Sequence, residues 1–251
     1  MQKNLSEALV KRIMQTLKQA KEFKTAHEVV RSKVTRRAGK LNVSLARLAA
    51  CDGHRDLLKS ISAIHRGSLN EGDPEGVTPL HGAAALNQAE TVKQLVDEGV
   101  SLEAKTNQGH SPLFGAIYFN QIEAMTVLLD EDKSLATTPV DDSGRLPLHL
   151  AMERNHVEAM QLLLRKGANP RAELAGGWSL VVIAAKCGSV EALNALLDHD
   201  PTVNLDKALD DATTPLMLAV SEGHTKIVKV LAEKKVDLEK RNGEGDDRGA
   251  K

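Results

Sequence analysis

Apolar and polar positions along this chain repeat on two scales. Within short segments apolar residues return every three to four positions, as on one face of a helix. Over longer distances the whole pattern recurs every 33–35 residues. The clearest copies begin Thr78-Pro79-Leu80-His81, Ser111-Pro112-Leu113-Phe114, Leu146-Pro147-Leu148-His149 and Thr214-Pro215-Leu216-Met217. Weaker copies begin at Ser44 and Ser179, so the six anchors are Ser44, Thr78, Ser111, Leu146, Ser179 and Thr214.

Aligned columns give each copy a mechanical meaning. A Thr or Ser hydroxyl can accept hydrogen bonds from the unpaired N–H groups that open a helix. Proline at the next position lacks an N–H and already holds a helical φ. Ser44 and Ser179 keep the cap without proline, and Leu146 keeps the proline without the cap. Five residues after each anchor stands alanine: Ala49, Ala83, Ala116, Ala151, Ala184 and Ala219. A side chain that small lets neighbouring helices approach closely. Nine residues after each anchor come Gly53, Asn87, Asn120, Asn155, Gly188 and Gly223. Glycine and asparagine are the residues that most readily take the left-handed conformation ending a helix. A second helix then opens with an acid (Asp56, Glu90, Glu123, Glu158, Glu191) in every copy but the last, which has Lys226. Seventeen residues after each anchor lies a core side chain: Ile61, Leu95, Leu128, Leu163, Leu196 and Leu231. Two connections carry two extra residues, and the loops around Asp132–Pro139 and Pro201–Leu209 are expected to protrude.

The ends differ from the repeats. Leu5, Leu9, Ile13 and Leu17 recur every four residues, and Phe23, Ala26, Val30 and Val34 continue the stripe. Residues 1–38 are therefore read as a helical segment. They would serve as a cap over the first repeat's apolar flank or as a basic amphipathic element. Residues 242–251 form a short charged tail.

Composition sharpens this picture. The 251 residues carry a net charge of -1, but residues 1–40 hold eleven Lys/Arg against three acids. The rest is acidic: a basic arm on an acidic body. Aromatics make up 2%, so the core has to be aliphatic. No apolar run approaches the roughly 18 residues of a membrane helix, and no secretory leader is expected. Two cysteines, Cys51 and Cys187, are too few for a disulfide framework and suit a reducing compartment. The expected setting is cytoplasmic or nuclear.

A search for chemistry finds little. Gly176-Gly177 reads as a turn rather than a phosphate loop. No Cys/His spacing fits zinc, and Asp141-Asp142 lacks the rest of a calcium loop. Five of the nine histidines sit at repeat-defined positions: His81, His149, His54, His156 and His224. The expectation is a chain with no catalytic residues, no metal and no cofactor.

The combination of Thr-Pro-Leu-His, a following alanine, a Gly-His stop and a leucine pair with Gly167-Ala168-Asn169 resembles ankyrin repeats, over about residues 39–241. The resemblance implies an all-α solenoid of stacked two-helix repeats joined by hairpin-like turns. It implies a non-catalytic module or adaptor that binds another protein on the concave side, lined by first helices and turn tips. The positions it makes outward-facing include Leu86, His110, Tyr118, Phe119, Arg154 and Trp178, with the acidic residues Glu75, Asp142, Asp210 and Asp211. Together with Asp73 and Asp141, the acidic tips suggest a partner with basic segments. The alternative is an adaptor tethered to anionic lipid or RNA through residues 1–40. That reading lacks the interleaved aromatics that stack bases.

Overall fold

In a computed structural model, the described residues are 38–64, 66–234, 236, 237 and 240, with side chains described from Leu45 onward. The expected cap or tether within residues 1–37, the start of the helical stripe included, lies outside them, as does the tail.

The described chain holds twelve α-helices, six pairs for six repeats. The first three pairs are α1 (Ala38–Cys51) with α2 (Arg55–Ile64), α3 (Pro79–Ala85) with α4 (Ala89–Asp97), and α5 (Pro112–Tyr118) with α6 (Ile122–Glu131). The other three are α7 (Pro147–Glu153) with α8 (Val157–Arg165), α9 (Leu180–Cys187) with α10 (Val190–His199), and α11 (Pro215–Ser221) with α12 (Thr225–Glu233). They fall into two compact units, one ending at Glu131 and one beginning at Asp132. Between α8 and α9 a two-residue antiparallel ladder pairs β1 (Glu173–Leu174) with β2 (Trp178–Ser179).

Helix starts follow from the anchors. The hydroxyls of Thr78, Ser111, Ser179 and Thr214 each accept the backbone N–H three residues on. Leu146 opens α7 with proline alone. Ser44 is a correction: α1 is already helical at Ala38, six residues earlier, and Ser44 lies inside it. No proline follows Ser44 to stop the helix from extending upstream.

Helix ends follow from the stop column. Asn87, Asn120 and Asn155 have φ of 55–56°, and Gly53, Gly188 and Gly223 have φ of 71–74°. The asparagines do more than turn the chain. Asn87 Oδ1 accepts the Ala124 N–H at 3.1 Å, and its Nδ2 donates to Glu123 in the next repeat. Asn155 does the same with Ala192 (2.9 Å) and Glu191 (2.6 Å). The acid that opens a second helix is thus held by the preceding repeat, and these contacts keep the Glu123 and Glu191 carboxyls below their ordinary values.

The core is aliphatic, as composition requires. The six alanines at the fifth position are fully buried, and the column from Ile61 to Leu231 is buried throughout. In the N-terminal unit α1 packs on α3, α3 on α5 and α4 on α6. In the C-terminal unit α7 packs on α9, α9 on α11, α8 on α10 and α10 on α12. Gly82 marks how close the approach is: a Cβ there would sit 2.5 Å from Cys51 Sγ. The loop around Asp132–Pro139 does not protrude as expected. It winds into a short 3-10 turn, Lys133–Ala136, and buries Leu135, Ala136 and then Val140. Burial of those side chains offsets the cost of ordering the extra residues.

Asn87→Ala forces a Cβ-bearing residue without a polar side chain into a left-handed φ and removes two inter-repeat bonds, for a loss of about 2 kcal/mol. Asn87→Gly keeps the conformation and loses only the bonds, about 1 kcal/mol. Urea midpoints for the two variants should fall in that order.

Candidate binding face of the N-terminal unit

The face is built from the cap of α3 outward. Thr78 and His81 form a reciprocal capping box: Thr78 Oγ1 accepts the His81 N–H, and His81 Nδ1 accepts the Thr78 N–H at 3.2 Å. With Nδ1 occupied as acceptor, Nε2 carries the proton and donates to the His110 carbonyl, 2.9 Å away in the next repeat. One buried histidine thereby fixes the turn tip that carries His110. Thr106 Oγ1 steadies the same tip by accepting the His110 N–H at 3.2 Å.

From His110 a row of rings runs along α5. His110 stacks on Phe114 at 3.8 Å with planes 4° apart. Phe114 stacks on Tyr118 at 5.8 Å, and Tyr118 meets Phe119 edge-on at 5.1 Å. His110 and Tyr118 are half-buried, while Phe119 is 56% exposed. Leu86 is 54% exposed at the matching position, the C-cap of α3 as Phe119 is of α5. Among the described residues these two are the exposed large hydrophobic side chains. Phe114, 9% exposed, is the member that reading outward positions missed. Its signal was present: 114 and 118 are spaced by four on one face of α5, and His110 stands just before the cap of that helix.

The acidic tips divide. Asp73 turns inward, accepting the N–H groups of Glu75 and Val77 and pairing with Arg47 Nε at 3.1 Å. Asp141 is buried. It accepts the Ser143 N–H and Oγ–H and two Arg145 N–H groups; burial pushes its carboxyl up, but these donors hold it below the ordinary value. Both are turn-builders, a correction to the expected row of partner-facing acids. Asp211 is exposed, but its carboxylate also accepts a backbone N–H, that of Thr213. Glu75, Asp142 and Asp210 are exposed.

Trp178 and Arg154 belong to the C-terminal unit and are described there. Arg154 is exposed at the C-cap of α7. Trp178, half-buried in β2, lies against the Gly176 turn with Lys186 Nζ 4.9 Å from its ring centroid. His149 shows what the capping box contributes. Its Nε2 reaches the Ala172 carbonyl at 3.2 Å, but Leu146 offers no hydroxyl and Nδ1 is buried without a partner. Among the described residues no group of three His, Cys, Asp or Glu could hold a metal ion. Burial raises both Cys51 and Cys187 thiols above their ordinary value.

A family model described as "Ankyrin repeats (3 copies)" matches residues 46–139 and 148–242. The chain belongs to the ankyrin-repeat family. Its fold is the all-α ankyrin solenoid: it matches the ankyrin repeat domain of human ASB11 with a TM-score of 0.68 at 24% identity, covering 81% of this chain and 89% of that one. It matches the ankyrin repeat domain of Bcl-3 with a TM-score of 0.69 at 23% identity, covering 80% and 90%. Among curated relatives, human transient receptor potential cation channel subfamily A member 1 is 28% identical over 207 residues, 80% of this chain. Mouse ankyrin repeat domain-containing protein 63 is 38% identical over 93 residues, 36% of this chain. The chain spans only 18% and 24% of those two relatives' lengths. Ankyrin-repeat homologues are generally protein-interaction modules.

Two buried histidines make this ankyrin fold acid-sensitive. Burial, opposed by the hydrogen bond to the next backbone carbonyl, lowers the affinity of His81 and His149 for protons. The unfolded chain binds those protons near pH 6.5, so stability is full above that value and is lost as pH falls below it toward the depressed folded values. Urea midpoints should drop between pH 7 and about pH 5. Thr78→Val, which removes the hydroxyl that accepts the His81 N–H and keeps only the backbone N–H bonded to His81 Nδ1, should cost about 1–2 kcal/mol at neutral pH.

Proposed function

We propose that this chain is a non-catalytic protein-interaction module that holds a partner protein on the first-helix face of its N-terminal unit. Leu86 and Phe119 are the anchors, with Tyr118 and His110 beside them. The observation that carries this reading is the pair of large apolar side chains left more than half exposed at one repeat position in adjacent repeats. Burying such side chains is favourable by about 25 cal/mol per Å². Aromatic anchors dominate measured interfaces. The ladder behind Phe119 fixes its ring before binding, which lowers the entropy lost on association.

Family membership supports the coarser part of the reading, since ankyrin repeat domains are known as non-catalytic interaction modules. Two free thiols, Cys51 and Cys187, support placing the chain in a reducing compartment, the cytoplasm or nucleus. Among the described residues no helix is long and apolar enough to cross a membrane.

Proteins retained by the full chain should be compared with those retained by Leu86→Ser, Phe119→Ser and Tyr118→Ala variants, and the affinity of a retained protein measured against each. Loss of a true anchor costs about 2 kcal/mol, roughly thirtyfold in affinity. Affinities unchanged across all three variants would move the site elsewhere.

A further inference from the structure

We propose that the outer flank of the sixth repeat, the side of α11 and α12 turned away from α9 and α10, is a homodimer surface. Two copies of this chain meet there, tail to tail, about a twofold axis. The surface lies in the C-terminal unit and is separate from the Leu86 and Phe119 face.

Aligned columns single this flank out. Six residues after the first five anchors, Ala50, Ala84, Ile117, Met152 and Ala185 are buried, but Val220, six after Thr214, is half-exposed. Fourteen residues after them, Leu58, Val92, Met125, Met160 and Leu193 are buried, but Val228 is half-exposed. Met217 is half-exposed in a column that holds the buried His81, Phe114, His149 and Val182. The stop column agrees. A Cβ on Gly188 would meet the His224 ring of the next repeat at 2.8 Å, whereas one on Gly223 would meet nothing within 4 Å. Within the C-terminal unit the following helix pair packs on α7 and α8 and again on α9 and α10. The sixth repeat keeps the same apolar columns with no following pair among the described residues. A repeat built to end a stack against water carries a polar outer face, and this one does not.

Three observations choose a second copy as the cover. Residues 241–251 are too few to supply a helix pair, since a repeat takes 33–35 residues. The flank itself is uncharged: Met217, Val220, Ser221, Val228 and Ala232. A twofold axis sets a surface against its own copy, so a charged flank would repel itself and an uncharged apolar one buries itself. Nor does a copy have a leading flank to offer. Gln94 shows which side leads, because its Nε2 reaches back to the Arg55 carbonyl of the preceding repeat at 3.1 Å. Ser60, in the same column of the first repeat, is already buried. The open flank of the second copy is therefore its own α11 and α12.

The dimer is a reversible one. A face two short helices wide falls at the small end of specific interfaces, below about 1,200 Å² in total. Lys226, Lys229 and Lys234 stand exposed on or beside α12 against Glu233, so the rims of two copies repel and salt relieves the repulsion. Each dimer carries two N-terminal faces and would hold a partner with two binding segments more tightly than one chain does.

Sedimentation velocity of the full chain, from about 1 μM to about 1 mM, tests this. The mass should rise with concentration from one chain to two and stop there, and added salt should move the rise to lower concentration. Val220→Lys combined with Val228→Lys should weaken association at least tenfold, and so should Glu at the same two positions. An equimolar mixture of the two variants should restore it, because opposite charges then meet. Urea midpoints measured at low concentration check that both variants fold. Ala232→Arg, at an exposed position, is a second disruption that leaves the fold intact. Leu86→Ser and Phe119→Ser should leave the dimer unchanged.

A chain that stays single at every concentration would overturn the proposal. So would a dimer indifferent to the lysine pair and to Ala232→Arg, or one lost with Leu86 or Phe119. Masses growing past two chains would replace the twofold pairing by end-to-end stacking, and a mixture that fails to restore association would rule out like flanks meeting. None of these results bears on partner binding at Leu86 and Phe119, which the retained-protein affinities test separately.

Discussion

The structure depends on one constraint: a two-helix repeat cannot bury its apolar flank alone. Each flank has to be sealed by a neighbour, and the seal works only if backbones come close. The six fully buried alanines are the price of that closeness, and Gly82 against Cys51 shows the limit. Nearest-neighbour burial of this kind makes stability a sum of similar local contributions, with no single central core. It also explains how a chain with 2% aromatics folds, since stacked helices at short range are filled by Ala, Leu, Val, Ile and Met.

Polar contacts set the register that burial alone leaves loose. The Asn87 and Asn155 side chains each tie the end of one first helix to the start of the next repeat's second helix. The His81 ring ties a helix start to the next turn tip. Asn107 ties tip to tip, its Nδ2 donating to the Pro74 carbonyl at 2.8 Å. These bonds are directional, and all but that of Asn107 are half-buried, so a slipped stack would leave their donors and acceptors unpaired. His149 shows a partial loss of such a device where Leu146 replaces the capping hydroxyl, and α7 persists there on proline and packing.

Function draws on what stacking leaves over. First helices turn one edge toward neighbours and another toward solvent, and the solvent edge is free to vary. In the N-terminal unit that edge carries an aromatic row and two exposed anchors. In the C-terminal unit the corresponding positions carry Arg154, Cys187 and Glu222, all exposed. The same scaffold therefore presents apolar anchors in one unit and a charged or thiol-bearing residue in the other, which is how a repeat fold can serve unrelated partners.

The sequence by itself determined the repeat number, the helix stops and the buried columns, because each is a local demand on one residue type: left-handed φ for Asn or Gly, a missing N–H for Pro, small volume for Ala. It also placed Leu86 and Phe119 outward, because their repeat position says so. Only the tertiary structure decided which polar residues were spent internally. Asp73 and Asp141 looked like tip acids, yet their carboxylates fold back onto N–H groups and arginines that no spacing rule pairs with them. Only packing decided that the extra residues at Leu135 and Ala136 turn inward, because burial depends on the surface beneath a loop rather than on its length. Ser44 failed as a helix start for a related reason: a cap is a competition with the residues upstream, and without proline the helix ran through it.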